Sequence, residues 1–132
     1  WYIQKSELYL YNQDWIRKYE YHSNFLGFKV DRTDDWCLET KNGIITKEKV
    51  GGLDCYQMCG ISYYDKETGK QMEKDIKEVF MSPGGKERYW EQVMLDIRKN
   101  NYKIYLRECK SEDIIEIDTF NELKAIDKTY DV

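Results

Sequence analysis

The chain is 132 residues long, 41% hydrophobic and 15% aromatic, which is one domain's worth of material with enough apolar side chain for a core. Charged residues make up 35% of it with both signs interspersed, and a net charge of -4 excludes a broad basic surface for nucleic acid or an anionic membrane. No apolar run approaches the roughly 20 residues of a membrane span and no signal-peptide pattern opens the sequence, so a cytoplasmic protein without membrane insertion is expected.

The sequence begins at Trp1 without an initiator methionine, as a processed chain or a piece of something longer would. Residues 5 to 20, KSELYLYNQDWIRKYE, mix aromatics and charges, and Leu8, Tyr11 and Trp15 fall at helical spacing, so short helical or irregular segments are predicted there. SNFLGFKVD, residues 23 to 31, reads as a strand. Trp36 to Thr40 and Ile44 to Val50 flank Lys41-Asn42-Gly43, and Asn-Gly between two such runs predicts a hairpin closed by a type I′ turn. Gly51-Gly52 interrupts the run, and CYQMCGISYY, residues 55 to 64, predicts a buried strand with Gly60 allowing close backbone approach.

Helical periodicity comes next. Met72, Ile76 and Val79 or Phe80 form one apolar stripe opposite lysines and glutamates. A second helix is predicted with Ser82 as a cap, a stripe of Tyr89 or Trp90, Val93 or Met94, and Ile97, and an end at Asn100-Asn101. KIYLREC, residues 103 to 109, is a further strand. The four cysteines lack paired C-x-x-C spacing and the single His22 adds no ligand pattern, so reduced, mostly buried thiols are expected.

The last segment, SEDIIEIDTFNEL, changes rhythm at Asp118. Alternation through Ile114–Asp118 would put Glu116 and Asp118 on one face of a strand and Ile115 and Ile117 on the other. Thr119 then caps a helix, with Glu122 completing a T-x-x-E capping box. Two solvated acids on a half-exposed strand are one reading. A divalent metal site at the carboxyl end of a strand, where open α/β sheets keep ligand crevices, is the other. The mixture of strands and helices predicts an α/β layer structure with a partly antiparallel sheet.

The succession DDWCLET, the Asn-Gly hairpin, CGISYYD, ERYWEQVMLD and IIEIDTFNELKAID resembles the C-terminal half of bacterial CTP:phosphocholine cytidylyltransferases, of the sugar-nucleotidyltransferase-like superfamily, over about residues 23 to 127. The resemblance implies an α/β chain forming the C-terminal, acceptor-binding part of a three-layer, Rossmann-like nucleotidyltransferase fold with a mixed sheet. It implies transfer of CMP from CTP to phosphocholine, giving CDP-choline and pyrophosphate. The family holds Mg²⁺ between two acidic positions, one of which is here Asp118, with Glu116 as second candidate. The donor type suits, because Mg²⁺ takes one or two hard carboxylates and fills its remaining positions with water and substrate phosphate. Trp36 and Tyr89 match the family's choline-contacting aromatics, Glu87 falls near an acidic position there, and Asp35, Trp90, Tyr63 and Tyr64 are lesser candidates.

The sequence departs from the family in one respect. It holds no glycine-rich G-x-G-T-R-like stretch, and Trp1-Tyr2-Ile3 resembles the stretch directly after the family's first metal-binding Asp, so residues 1–132 read as a single domain without the triphosphate-binding half. The expectations are an isolated chain inactive in cytidylyl transfer and a strand edge left exposed by the missing half, met by self-association as a homo-oligomer, by a rearranged sheet, or by a complementary N-terminal half as partner. A related sugar-phosphate nucleotidyltransferase fragment and a non-catalytic binding or oligomerisation module stay open.

Overall fold

The computed structural model describes residues 8–10 and 22–130. Strand β1, Leu8–Leu10, pairs antiparallel with β5, Ile115–Ile117, as a two-stranded ribbon. Two long strands, β2 (Asn24–Lys41) and β3 (Ile44–Tyr63), form an antiparallel hairpin. Helix α1, Lys66–Met81, comes next, then α2, which starts at Trp90–Gln92 and continues as a wider π turn over Val93–Ile97. Strand β4, Tyr105–Glu108, precedes β5, and helix α3, Phe120–Ile126, comes after it. The expectation for residues 11 to 20 lies outside the described residues, whereas Leu8, expected at helical spacing, is in a strand.

The hairpin turn is where the sequence predicts it, with Lys41 facing Ile44 and positive φ at Asn42 (53°) and Gly43 (76°), the left-handed backbone an Asn-Gly turn requires. Gly51-Gly52 does not end the run. Gly51 takes φ +73°, and a Cβ on Gly52 would stand 2.8 Å from the Cys37 sulfur and 2.9 Å from that of Cys55, so the glycines let the strand bend tightly over two thiols while its pairing continues.

The bend folds the hairpin on itself. Cys37 pairs with Lys49 on one side and Gln57 on the other, and Leu38 likewise with Glu48 and Tyr56. β4 runs parallel to Asn24–Gly27 and also meets Ile44 through Tyr105, which closes β2, β3 and β4 into a small barrel, so that of the two expectations for the sheet these strands do not show the open edge. Closure leaves Ser23 to Leu26 buried on both faces, as for a strand with neighbours on each side. Phe25 joins Leu38, Ile45, Leu95 and Ile104 in one cluster, while Leu26 joins Cys59 and Cys109 in another. Each fully buried Phe or Leu contributes about 2–3 kcal/mol.

Helix α1 starts at Asp65, whose carboxylate accepts the Thr68 N–H at 2.8 Å and the Ser23 hydroxyl at 2.9 Å, tying the helix to the start of β2. Its predicted stripe is the buried one: Met72, Ile76 and Val79 pack with Val93 and Met94, while Phe80 is exposed. Ser82 caps the end of α1 and not the start of α2; its N–H and hydroxyl both donate to the Val79 carbonyl. Inside, burial pushes the Asp75 carboxyl up, but hydrogen bonds from Tyr102 (2.7 Å), Asn101 (3.1 Å) and Gln71 (3.1 Å) outweigh it and leave the group below its ordinary value.

Candidate functional site

Trp36 and Tyr89, far apart in sequence, meet with ring centroids 5.9 Å apart and planes at 81°. Trp36 is half-buried in β2, and its approach is set by local bonds: its N–H donates to the Asp35 carboxylate (2.7 Å), the Asp35 N–H to the Thr33 hydroxyl (3.1 Å), and that hydroxyl to Gln57 (3.0 Å). Asp35 is therefore engaged in holding the turn before Trp36. Sequence spacing puts Tyr89 at a core position of a helix; in the structure it precedes α2, with its N–H donating to the Gln92 side chain at 3.0 Å and 60% of its surface exposed. The reason is the later helix start, since Ser82 to Arg88 form a turn in which Gly84 takes φ +73° and Gly85 packs on the Val79 carbonyl. Glu87 lies in this turn, exposed and two residues before Tyr89.

The neighbouring Trp90 stacks on Phe25 (6.0 Å, 22°) and meets the edge of Tyr64 (6.3 Å, 86°), which anchors the start of α2 on the barrel. Tyr63, opposite Asn24, is half-buried in the end of β3. Two acids missed in the sequence lie close by. Glu91 comes directly after Trp90 and is 7% exposed, and Glu48 faces Leu38 across the hairpin. Burial, then the charges of Glu91 and Asp96, push the Glu48 carboxyl up to about 7, and its buried Oε2 has no hydrogen-bond partner among the described residues. Burial also pushes the Tyr64 phenol up to about 12, with Glu91 and Glu48 adding to it. The charge-rich TKEKV run reads as a solvated strand, and only the folding back of the hairpin brings Glu48 under α2.

Glu116 and Asp118 are both exposed, on and just after β5. The expected alternation holds only in part, because Ile117 is buried while Ile115 is 44% exposed: β5 is a short ribbon strand paired with β1 and not a member of the barrel. The capping box forms as predicted, with Glu122 accepting the Thr119 and Asp118 N–H groups, each at 2.8 Å, and donating its own N–H to the Thr119 hydroxyl at 3.2 Å. Those bonds use the backbone of Asp118 and leave its carboxylate on the surface. Among the described residues no group of three or more His, Cys, Asp or Glu side chains is arranged to hold a metal. Two hard carboxylates still suit the modest protein share of a Mg²⁺ shell.

No family model matches the chain. A curated 2-aminoethylphosphonate cytidylyltransferase of Lancefieldella rimae is 24% identical over 135 aligned residues, taking in 98% of this chain and 53% of that protein. Among solved structures, the CTP:phosphocholine cytidylyltransferase of Streptococcus pneumoniae superposes with a TM-score of 0.69 at 17% identity, over 92% of this chain and 54% of that one. The chain thus spans about half the length of the relatives it matches. Both are cytidylyltransferases, as the order of motifs in the sequence predicts, and the fold of this chain is that of about half of such a nucleotidyltransferase.

Proposed function

We propose that the chain is the acceptor-binding half of a cytidylyltransferase whose acceptor is a phosphorylated alcohol with a cationic head, phosphocholine first. The observation that carries this reading is the perpendicular pair Trp36–Tyr89. A quaternary ammonium has no N–H to donate, so aromatic faces and nearby negative charge hold it, each cation-π contact contributing roughly 0.5–2 kcal/mol. Trp36 and Tyr89 offer two such faces at a partly exposed corner, with Glu87 two residues before Tyr89.

Asp118 and Glu116 would hold Mg²⁺, which supplies charge neutralisation on the reacting phosphates when bound. The chain's own residues bind and orient the acceptor so that its phosphate oxygen is presented in line to the nucleotide. The 132 residues hold no G-x-G-T-R-like loop to cradle the nucleotide's triphosphate, and on this reading the isolated chain gives no turnover.

A primary ammonium is the second reading, favoured by the curated relative that is a 2-aminoethylphosphonate cytidylyltransferase; a primary ammonium can donate N–H bonds, which a quaternary head lacks. Thermal shifts of the chain with phosphocholine, 2-aminoethylphosphonate and glucose 1-phosphate separate the readings. Stabilisation by phosphocholine alone supports the first and by 2-aminoethylphosphonate alone the second. Preference for glucose 1-phosphate, or indifference to all three ligands, contradicts both.

A further inference from the structure

The hairpin face that carries Trp36 also carries an exposed valine. Trp36 to Glu39 pair in step with Val50 to Lys47, so Trp36 stands opposite Val50 and Leu38 opposite Glu48. Directly opposed residues of an antiparallel pair share a face with their Cβ atoms about 5 Å apart, and residues two apart along a strand share it too. Trp36, Val50, Leu38 and Glu48 therefore lie on one face. Leu38 is fully buried and Glu48 half-buried, which leaves Trp36 and Val50 as the outer pair, Trp36 half-buried and Val50 62% exposed. Tyr89 meets this outer end through the Trp36 ring. The lysine next to Val50 is directed away from it: Lys49 shares the opposite face with Cys37, and its ammonium is paired with Glu39.

We propose that Val50 is a specificity-determining residue of the acceptor corner, an apolar wall beside Trp36 that takes the methyl groups of a quaternary ammonium and selects that head over a primary one. The inference rests on the acceptor reading and narrows it to one class of head group. A quaternary ammonium spreads its charge over methyl groups, which have apolar surface and no hydrogen to donate. Against an isopropyl group they leave water without leaving a donor unpaired. A primary ammonium in the same place gives up bonds to water for its N–H groups, and a valine offers nothing in return. The aromatic pair alone discriminates less, because both heads are cations and a ring face attracts either.

The test is calorimetric titration of the whole chain with phosphocholine and with phosphoethanolamine, which differ only in the three methyl groups. The unaltered chain should prefer phosphocholine. Val50→Thr keeps the branched shape and suits a strand, so Tm should hold, while phosphocholine affinity should fall roughly 3- to 10-fold. Phosphoethanolamine should bind Val50→Thr as well as before or better, and Val50→Ile, which keeps the apolar wall, should retain the preference. Equal affinity of the unaltered chain for the two ligands, or an unchanged ratio in Val50→Thr, overturns the proposal. Trp36→Ala in the same series tells the two failures apart. If it loses phosphocholine while Val50→Thr keeps the ratio, the role of Val50 fails and the acceptor reading stands. If it binds phosphocholine undiminished, or the unaltered chain binds neither ligand, the acceptor reading fails and the role of Val50 with it.

Discussion

Trp36 stands at 81° to Tyr89 with ring centroids 5.9 Å apart, although one belongs to a strand and the other to the turn before a helix. That meeting depends on two local devices, the Thr33–Asp35 bonds on one side and the glycine turn on the other. If the corner binds the acceptor, Trp36→Ala and Tyr89→Ala should each weaken phosphocholine binding roughly 2- to 30-fold. Tyr89→Ala, at a residue 60% exposed, should do so with little change in Tm, as calorimetry on the same samples would check.

Gly85 is a more severe position. A Cβ there would overlap the Val79 carbonyl at the end of α1, backbone that cannot give way. Gly85→Ala should therefore cost several kcal/mol, on the order of 3, or displace the turn and Tyr89 with it. Denaturant unfolding reads the first outcome, and loss of the binding response with helical circular dichroism retained reads the second.

Asp75 collects three donors in the interior, from Tyr102, Asn101 and Gln71. Asp75→Ala leaves them without their acceptor and should destabilise the chain by about 2–4 kcal/mol in urea unfolding. Asp75→Asn, which keeps one acceptor oxygen, should cost less.

Stability should also depend on pH through Glu48. Its folded value, about 7, lies above the ordinary carboxyl value of 4.5, so between those values the folded state keeps a proton that the unfolded state has lost. Stability from this group is full below 4.5, falls as pH rises towards 7, and is level above it. After solvent screening the loss is on the order of 1 kcal/mol. Asp75 has the opposite sign: held below its ordinary value, it contributes stability above the carboxylate range that is lost under acid. Tm measured from pH 4 to pH 8 should slope down across this range in the native chain, and Glu48→Gln should flatten the slope.

Much of this was legible in the sequence where the cause is local. The Asn42-Gly43 turn, the Thr119–Glu122 capping box and the α1 stripe each arise from a few neighbouring residues, and all form. The order of motifs also indicated the fold. The sequence hid the long-range features: the return of β2 and β3 on themselves, the closure by β4, and so the burial of Glu48 beneath Glu91. Tyr89 shows the same limit at smaller scale. Its spacing from Val93 and Met94 suits a core stripe, but Gly84 and Gly85 shift the helix start and leave it on the surface.

The most direct test of the acceptor reading is a tryptophan fluorescence titration of the chain with phosphocholine, run against inorganic phosphate and glucose 1-phosphate, with Trp36→Ala alongside. The account predicts saturable quenching by phosphocholine that neither control ligand gives and that the variant loses. An equal response to inorganic phosphate, or an undiminished response in Trp36→Ala, would contradict it.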